Sequence, residues 1–185
     1  MKRAIIVHCW GGSPEYCWYP WVKKELEKRG FQVQIPAFPD TDEPKFEPWI
    51  EEFQKAVGKP DEELYLIGHS LGCITIMRYL ETLGEKEKIG GAVLVAGFSE
   101  DIGLPEIKSF LEIPVDYEKV KNSVKNKITA IFSDNDPYVD LKFADIFKKK
   151  LDAKVIVKHK AGHFSGAVEG EKTCLKLPEV VENIK

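Results

Sequence analysis

Leu64-Tyr65-Leu66-Ile67-Gly68-His69-Ser70-Leu71-Gly72-Cys73-Ile74-Thr75-Ile76-Met77-Arg78-Tyr79-Leu80 changes period in its middle. Residues 63–67 read as a short strand covered on both faces. In the helix predicted over 71–83, Leu71, Ile74, Met77 or Arg78, and Leu80 are spaced for one buried stripe. Between strand and helix stands Gly68-x-Ser70-x-Gly72, a turn sharp enough to leave a serine hydroxyl facing a cleft. Two residues without a Cβ let the turn close and the helix approach the neighbouring strands. A serine N-cap in a Gly-rich turn is the plainer alternative. The strand before it and the helix after it favour an activated nucleophile, with the Leu71 amide aimed at developing oxyanion charge.

The same alternation runs outward in both directions. Strands are predicted at 4–7, 31–35, 63–67, 90–96, 128–132 and 153–157, and helices at 19–29, 46–57, 71–83, 141–151 and 178–184. Short apolar strands separated by helices describe an α/β fold, a three-layer α/β/α sandwich on a six-stranded parallel sheet. No linker divides the chain, so residues 1–185 are expected to form a single domain. The longest connection, 98–126, holds short helical candidates at 104–111 and 117–124. It is expected to wall a pocket, since ligands bind beyond the C-terminal ends of strands in such sheets.

Composition narrows the function classes. With 27 Lys and Arg against 30 Asp and Glu, the net charge of −3 excludes a broadly basic nucleic-acid binder. No apolar run approaches the roughly 20 residues of a membrane span. The N-terminal Met1-Lys2-Arg3 followed by 4–7 is too short for a signal peptide and reads as a first strand, which makes the cytoplasm the expected location. Cys9, Cys17, Cys73 and Cys174 are scattered and form no C-x-x-C, which argues for free thiols, with a Cys9–Cys17 bond as the alternative. Neither a metal nor a cofactor is expected: the histidines lack H-E-x-x-H spacing, and no P-loop or dinucleotide fingerprint is present.

A serine hydroxyl needs a base. Of the four histidines, His69 lies inside the turn, His8 ends the first strand, and His159 and His163 follow the last. The chain order serine, acid, histidine selects the last two. His163, after Gly162, is the expected base, and His159, between Lys158 and Lys160, is the fallback. The acid should follow the 128–132 strand, in Ser133-Asp134-Asn135-Asp136-Pro137-Tyr138-Val139-Asp140. Asp136 fits best, because Pro137 stiffens the exit and Val139 can anchor the loop. Asp134 is the alternative acid, or a cap for the turn at Asn135, and Asp140 is expected to cap the next helix. The second oxyanion donor is expected from His8-Cys9-Trp10-Gly11-Gly12, with the Trp10 amide as the choice. Trp10 is assigned to the pocket and Trp21 to the core.

Four stretches taken together, IIVHCWGGSPEYCWYPWVKKEL, LYLIGHSLGC, SDNDPYV and AGHF, resemble the small serine hydrolases of the YdeN and retinoblastoma-binding-protein-nine type, within the α/β-hydrolase superfamily. The likeness spans nearly the whole chain and is closer to the YdeN branch. It implies a minimal α/β-hydrolase fold without a large cap domain, with Ser70 matching the nucleophile, Asp136 the acid and His163 the base. It also implies cleavage of small esters through an acyl-enzyme. The alternatives are a peptidase or amidase using the same triad, and a non-catalytic binding protein on a retained fold. One departure stands out: Cys9 occupies a position where glycine is common, and its Cβ bears on the oxyanion loop.

Overall fold

Six short segments become the strands of one parallel sheet, in the order β2-β1-β3-β4-β5-β6: Arg3–Val7 (β1), Gln32–Gln34 (β2), Leu64–His69 (β3), Gly91–Val95 (β4), Ile128–Ser133 (β5) and Lys154–Lys158 (β6). The computed structural model describes residues 1–166 and 174–185. The helices are Tyr19–Glu27 (α1), Phe46–Val57 (α2), Leu71–Leu80 (α3), Tyr117–Asn122 (α4), Lys142–Lys150 (α5) and Pro178–Glu182 (α6), with a 3-10 helix at Pro105–Phe110. All six predicted strands and five predicted helices are present, with ends shifted by up to three residues.

The sheet sorts its side chains with the period of two that a pleated strand dictates. Ile5, Val7, Leu64, Leu66, Leu94 and Phe132 face one core with α2, α3 and α5. Ala4, Ile6, Ile67, Val93, Val95 and Ile131 face the other with α1 and α6. Central strands therefore read as continuous apolar runs, whereas β2 and β6 at the two margins keep exposed residues. Among the described residues no helix is long and apolar enough to cross a membrane.

Helix α3 departs from the expected single stripe: all ten of its residues are buried. It is closed in by the sheet, α2, α4 and the 3-10 helix, which explains a sequence apolar on every side. Its one charged residue, Arg78, is held in place. The guanidinium donates from Nε to Phe110 O at 3.0 Å, from Nη1 to Glu81 at 2.9 Å and from Nη2 to Ile113 O. Glu81 in turn accepts the Asp116 amide. The pair thus ties the 98–126 segment to the helix that follows Ser70. In α1 the core residues are Tyr19, Val22 and Leu26. Trp18, just before it, is fully buried, while the Trp21 expected in the core packs only at its margin.

Candidate active site

Ser70 joins β3 to α3 at φ 53°, ψ −115°, a conformation L-residues rarely adopt and one that stores roughly 1–3 kcal/mol of strain. The surroundings impose it. The Ser70 amide donates to Val95 O at the end of β4, 2.9 Å away, and the Ser70 carbonyl accepts the Cys73 amide at 2.9 Å. A Cβ on Gly72 would fall 2.2 Å from the Val7 carbonyl oxygen, and one on Gly68 2.8 Å from the Cys73 amide. The glycines therefore bring the helix start against the end of β1, where the loop carrying Trp10 begins. Leu71, the first residue of α3, has an amide with no intrahelical acceptor at the positive end of the helix dipole.

The amides on either side of Trp10 in that loop are engaged. Cys9 N–H donates to the Tyr19 hydroxyl at 3.1 Å, Gly11 N–H to Thr41 O at 2.9 Å and Gly12 N–H to Cys9 O at 3.1 Å. The Trp10 indole is anchored on Asp42 O at 2.9 Å. His8 pins the loop from below. Its Nδ1 donates to Cys9 O at 2.8 Å and its Nε2 accepts the Phe38 amide at 3.3 Å. Burial lowers the pKa of that imidazole. Cys9 does not take a positive φ, so its Cβ is accommodated without backbone strain. Burial raises its thiol pKa, against a role as nucleophile. Cys9 and Cys17 are both free, so the alternative bond between them is not formed.

The loops after β5 and β6 are fastened side by side. Ser133 Oγ accepts the Ala161 amide at 3.0 Å, Asp134 the Lys160 amide at 2.8 Å, and Asn135 Oδ1 the Gly162 amide at 2.9 Å. Asp136 completes the series by accepting His163 Nδ1–H, at 2.8 Å to Oδ2 and 3.0 Å to Oδ1. With its proton on Nδ1, the His163 ring has Nε2 as its basic atom. The Asp136 carboxylate also accepts the amides of Tyr138 and Val139, at 2.9 and 3.1 Å, and the buried Val139 anchors the loop. Asp140, expected as the N-cap, stands one residue before it: the N-cap of α5 is Leu141, and the Asp140 carboxylate accepts the Lys142 amide at 2.7 Å.

Asp134, the alternative acid, does not cap Asn135; it bonds His159 Nδ1 at 2.6 Å, so the two fallback residues pair with each other at the surface. The Lys160 amide, and after it His159, hold its carboxyl below the usual range.

Ser70 and His163 open onto one cavity of about 260 Å³. Trp10 and Leu71 line it, and Ile102, Leu104 and Ile107 of the 98–126 segment form an apolar wall. Tyr138 stands edge-on to His163 at 5.0 Å between ring centroids. Among the described residues no group of three or more His, Cys, Asp or Glu could hold a metal ion. The cavity therefore offers an apolar bed, a hydroxyl on a strained turn, an imidazole with an oriented tautomer, and backbone amides.

The contacts made by His8, Tyr19, His69, Ser133 and Asn135 are not legible in the sequence. The run of polar residues 133–136 directly after a strand was the one local signal. The Phe38 amide that meets His8, and the Tyr19 and His163 groups that meet His69, lie 30 to 94 positions away along the chain.

A Gly-x-Ser-x-Gly corner at the central strand of a parallel sheet, with a His–Asp pair on the loops after its last two strands, defines an α/β-hydrolase. The chain belongs to the serine hydrolase family, whose model matches residues 4–172. It is 32% identical over 164 residues to YdeN of Bacillus subtilis strain 168, covering 88% of this chain and 86% of that one. It is 31% identical over 167 residues to the serine hydrolase RBBP9 of Rattus norvegicus, covering 88% and 87%. The crystal structure of the B. subtilis ydeN gene product superposes with a TM-score of 0.90 over 98% of this chain and 96% of that one, at 31% identity. Est1E of Butyrivibrio proteoclasticus shares the fold at a TM-score of 0.72 and 15% identity, over 99% of this chain and 85% of its own.

Proposed function

We propose that this hydrolase cleaves small, neutral carboxylic esters by two-step acyl transfer, with Ser70 as nucleophile, His163 as general base and acid, and Asp136 as the residue that orients the imidazole. His163 Nε2 takes the hydroxyl proton as Ser70 Oγ attacks the carbonyl carbon. The amides of Leu71 and Trp10 receive the oxyanion, and His163 gives its proton to the departing alcohol. Water, deprotonated by the same nitrogen, then releases the carboxylic acid and restores the serine.

The observation that carries the reading is the meeting, in one apolar cavity, of a strained serine and a histidine whose other nitrogen is fixed by a buried aspartate. The wall of Ile102, Leu104 and Ile107 supports an apolar acyl group and the view of 98–126 as part of the same domain. Absence of a membrane-crossing helix among the described residues, together with the free thiols, supports a reducing, cytoplasmic setting.

Labelling by a fluorophosphonate probe, mapped by peptide mass, tests the nucleophile. One adduct on Ser70, absent from folded Ser70→Ala and His163→Ala variants, is the expected result; an unlabelled, folded wild type would sink the proposal. Each variant should lose at least about 10⁴-fold in kcat on p-nitrophenyl acetate, and the double variant should be little worse, because the residues act as a unit. Amide cleavage uses the same groups, so turnover of aminoacyl-coumarin amides is the companion assay, expected to be the slower.

A further inference from the structure

Two buried residues stand outside the acyl-transfer steps yet touch every segment that performs them. Tyr19 and His69 are both fully buried. Tyr19 Oη lies 3.1 Å from the Cys9 amide and 2.7 Å from His69 Nδ1, and His69 Nε2 lies 2.8 Å from the His163 carbonyl oxygen.

The direction of each bond follows from the groups at the two ends. A peptide N–H can only donate, so Tyr19 accepts from Cys9. A carbonyl can only accept, so His69 carries its proton on Nε2 and donates to His163. Burial above all, with His163 nearby, pulls the His69 pKa down to about 3, so the ring is neutral and Nδ1 keeps a lone pair. Tyr19, whose hydroxyl burial holds well above its ordinary pKa, donates to that lone pair. The result is one directed chain: Cys9 N–H to Tyr19, Tyr19 O–H to His69, His69 N–H to His163.

Each stop adjoins a working group. Cys9 precedes Trp10, His69 precedes Ser70, and the last acceptor is the backbone of His163 itself. The geometry points to Tyr19 and His69 as positioning residues that hold the oxyanion loop and the base loop in register with the turn carrying Ser70. This inference rests on the roles proposed for Ser70, His163 and the Trp10 amide. It also gives the neutrality of His69 a purpose. Its ring sits 5.1 Å from the His163 ring, where an imidazolium forms during turnover. A charged neighbour would oppose that proton transfer, and a neutral one does not. Because the His69 bond ends on the backbone of His163, it fixes the ring's place without engaging the reacting nitrogen.

The test compares Tyr19→Phe and His69→Gln with Tyr65→Phe, which removes a hydroxyl from a buried side chain on β3 that does not line the cavity. On p-nitrophenyl acetate, kcat should fall about 10- to 100-fold in the first two with KM within about threefold, the effect of misplacing intact reacting groups. The double variant should be no worse than the poorer single one, and Tyr65→Phe should stay within about twofold of wild type. Folded Tyr19→Phe and His69→Gln with unchanged kcat, or an equal loss in Tyr65→Phe, would overturn the inference. Histidine ¹⁵N–¹H spectra of the wild-type protein supply a measurement that needs no variant to fold. His69 should remain neutral, protonated on Nε2, from pH 8 down to pH 5. Protonation above pH 5, or a proton on Nδ1 of the neutral ring, would break the chain whatever the kinetics show. Failure of the wild type to label at Ser70 would count against the hydrolytic mechanism, while the spectra would still decide the hydrogen-bond chain.

Discussion

Two histidine–aspartate pairs join the same two loops, and they differ in almost everything except the bond. His159 Nδ1 meets Asp134 Oδ2 at 2.6 Å, and His163 Nδ1 meets Asp136 Oδ2 at 2.8 Å. In the first pair the side chains are 76% and 35% exposed; in the second they are 8% and 2% exposed. A short His–Asp contact is thus no signature of catalysis. Water screens the outer pair, whose removal should matter little. The inner pair is dry, its aspartate takes two further backbone amides, and its histidine opens onto the cavity with Ser70. Desolvation makes each of those interactions stronger and each missing partner more costly.

Replacing the acids one at a time breaks the comparison most severely. Asp136→Asn should lower kcat by about 10³- to 10⁴-fold with the fold intact, because the amide no longer selects the Nδ1–H tautomer of His163. An equal loss in Asp134→Asn would transfer the acid's role outward. Between the two, Asn135→Ala frees the Gly162 amide and the Ser133 hydroxyl while leaving both pairs in place. A loss of about three- to tenfold in kcat, measured beside an unchanged Ser70 labelling stoichiometry, is expected from a loosened base loop.

The smallest effects belong to the outer pair. His159→Ala and Asp134→Asn should each stay within about twofold of wild-type kcat, as surface charges do. Stability against pH sharpens the distinction. The carboxyl of Asp134 is depressed in the folded protein, so its contribution is present above the unfolded value of 3.8 and is lost as pH falls through the folded one. Buried His69, lowered from 6.5 to about 3, stabilises fully above pH 6.5 and progressively less toward pH 3. Melting temperatures of Asp134→Asn should therefore depart from wild type above the unfolded value of 3.8 and converge with it in strong acid. His69→Gln should flatten the decline between pH 6.5 and 3.

What the sequence disclosed follows the range of the forces involved. Strands buried on both faces announce themselves as apolar runs, and Ser70 sits in a turn whose demands are met by residues two positions away. The pairing of Asp136 with His163 is legible because each follows a recognisable strand. The single stripe expected of α3 is all that an isolated helix against a sheet would need, and its burial on every side depends on neighbours distant in the chain. Trp18 and Trp21 were not separable for a similar reason: both precede or open the same helix, and only the packed sheet decides which indole is covered. Tyr19 and His69 are 50 positions apart, and their joint task has no local pattern.

The proposed base rides at the margin of the sheet. Strand β6 is hydrogen-bonded to β5 on one side alone, and the loop it delivers is fastened chiefly by the side chains of 133–136. Opening that flank exposes far less surface than melting the central strands, so it lies lower on the ladder of partial unfolding. On heating, turnover should fade before the cooperative transition. Amide hydrogens of 154–163 should exchange with solvent faster than those of β1, β3 and β4, and enzymatic half-life becomes a local property of one edge of the molecule.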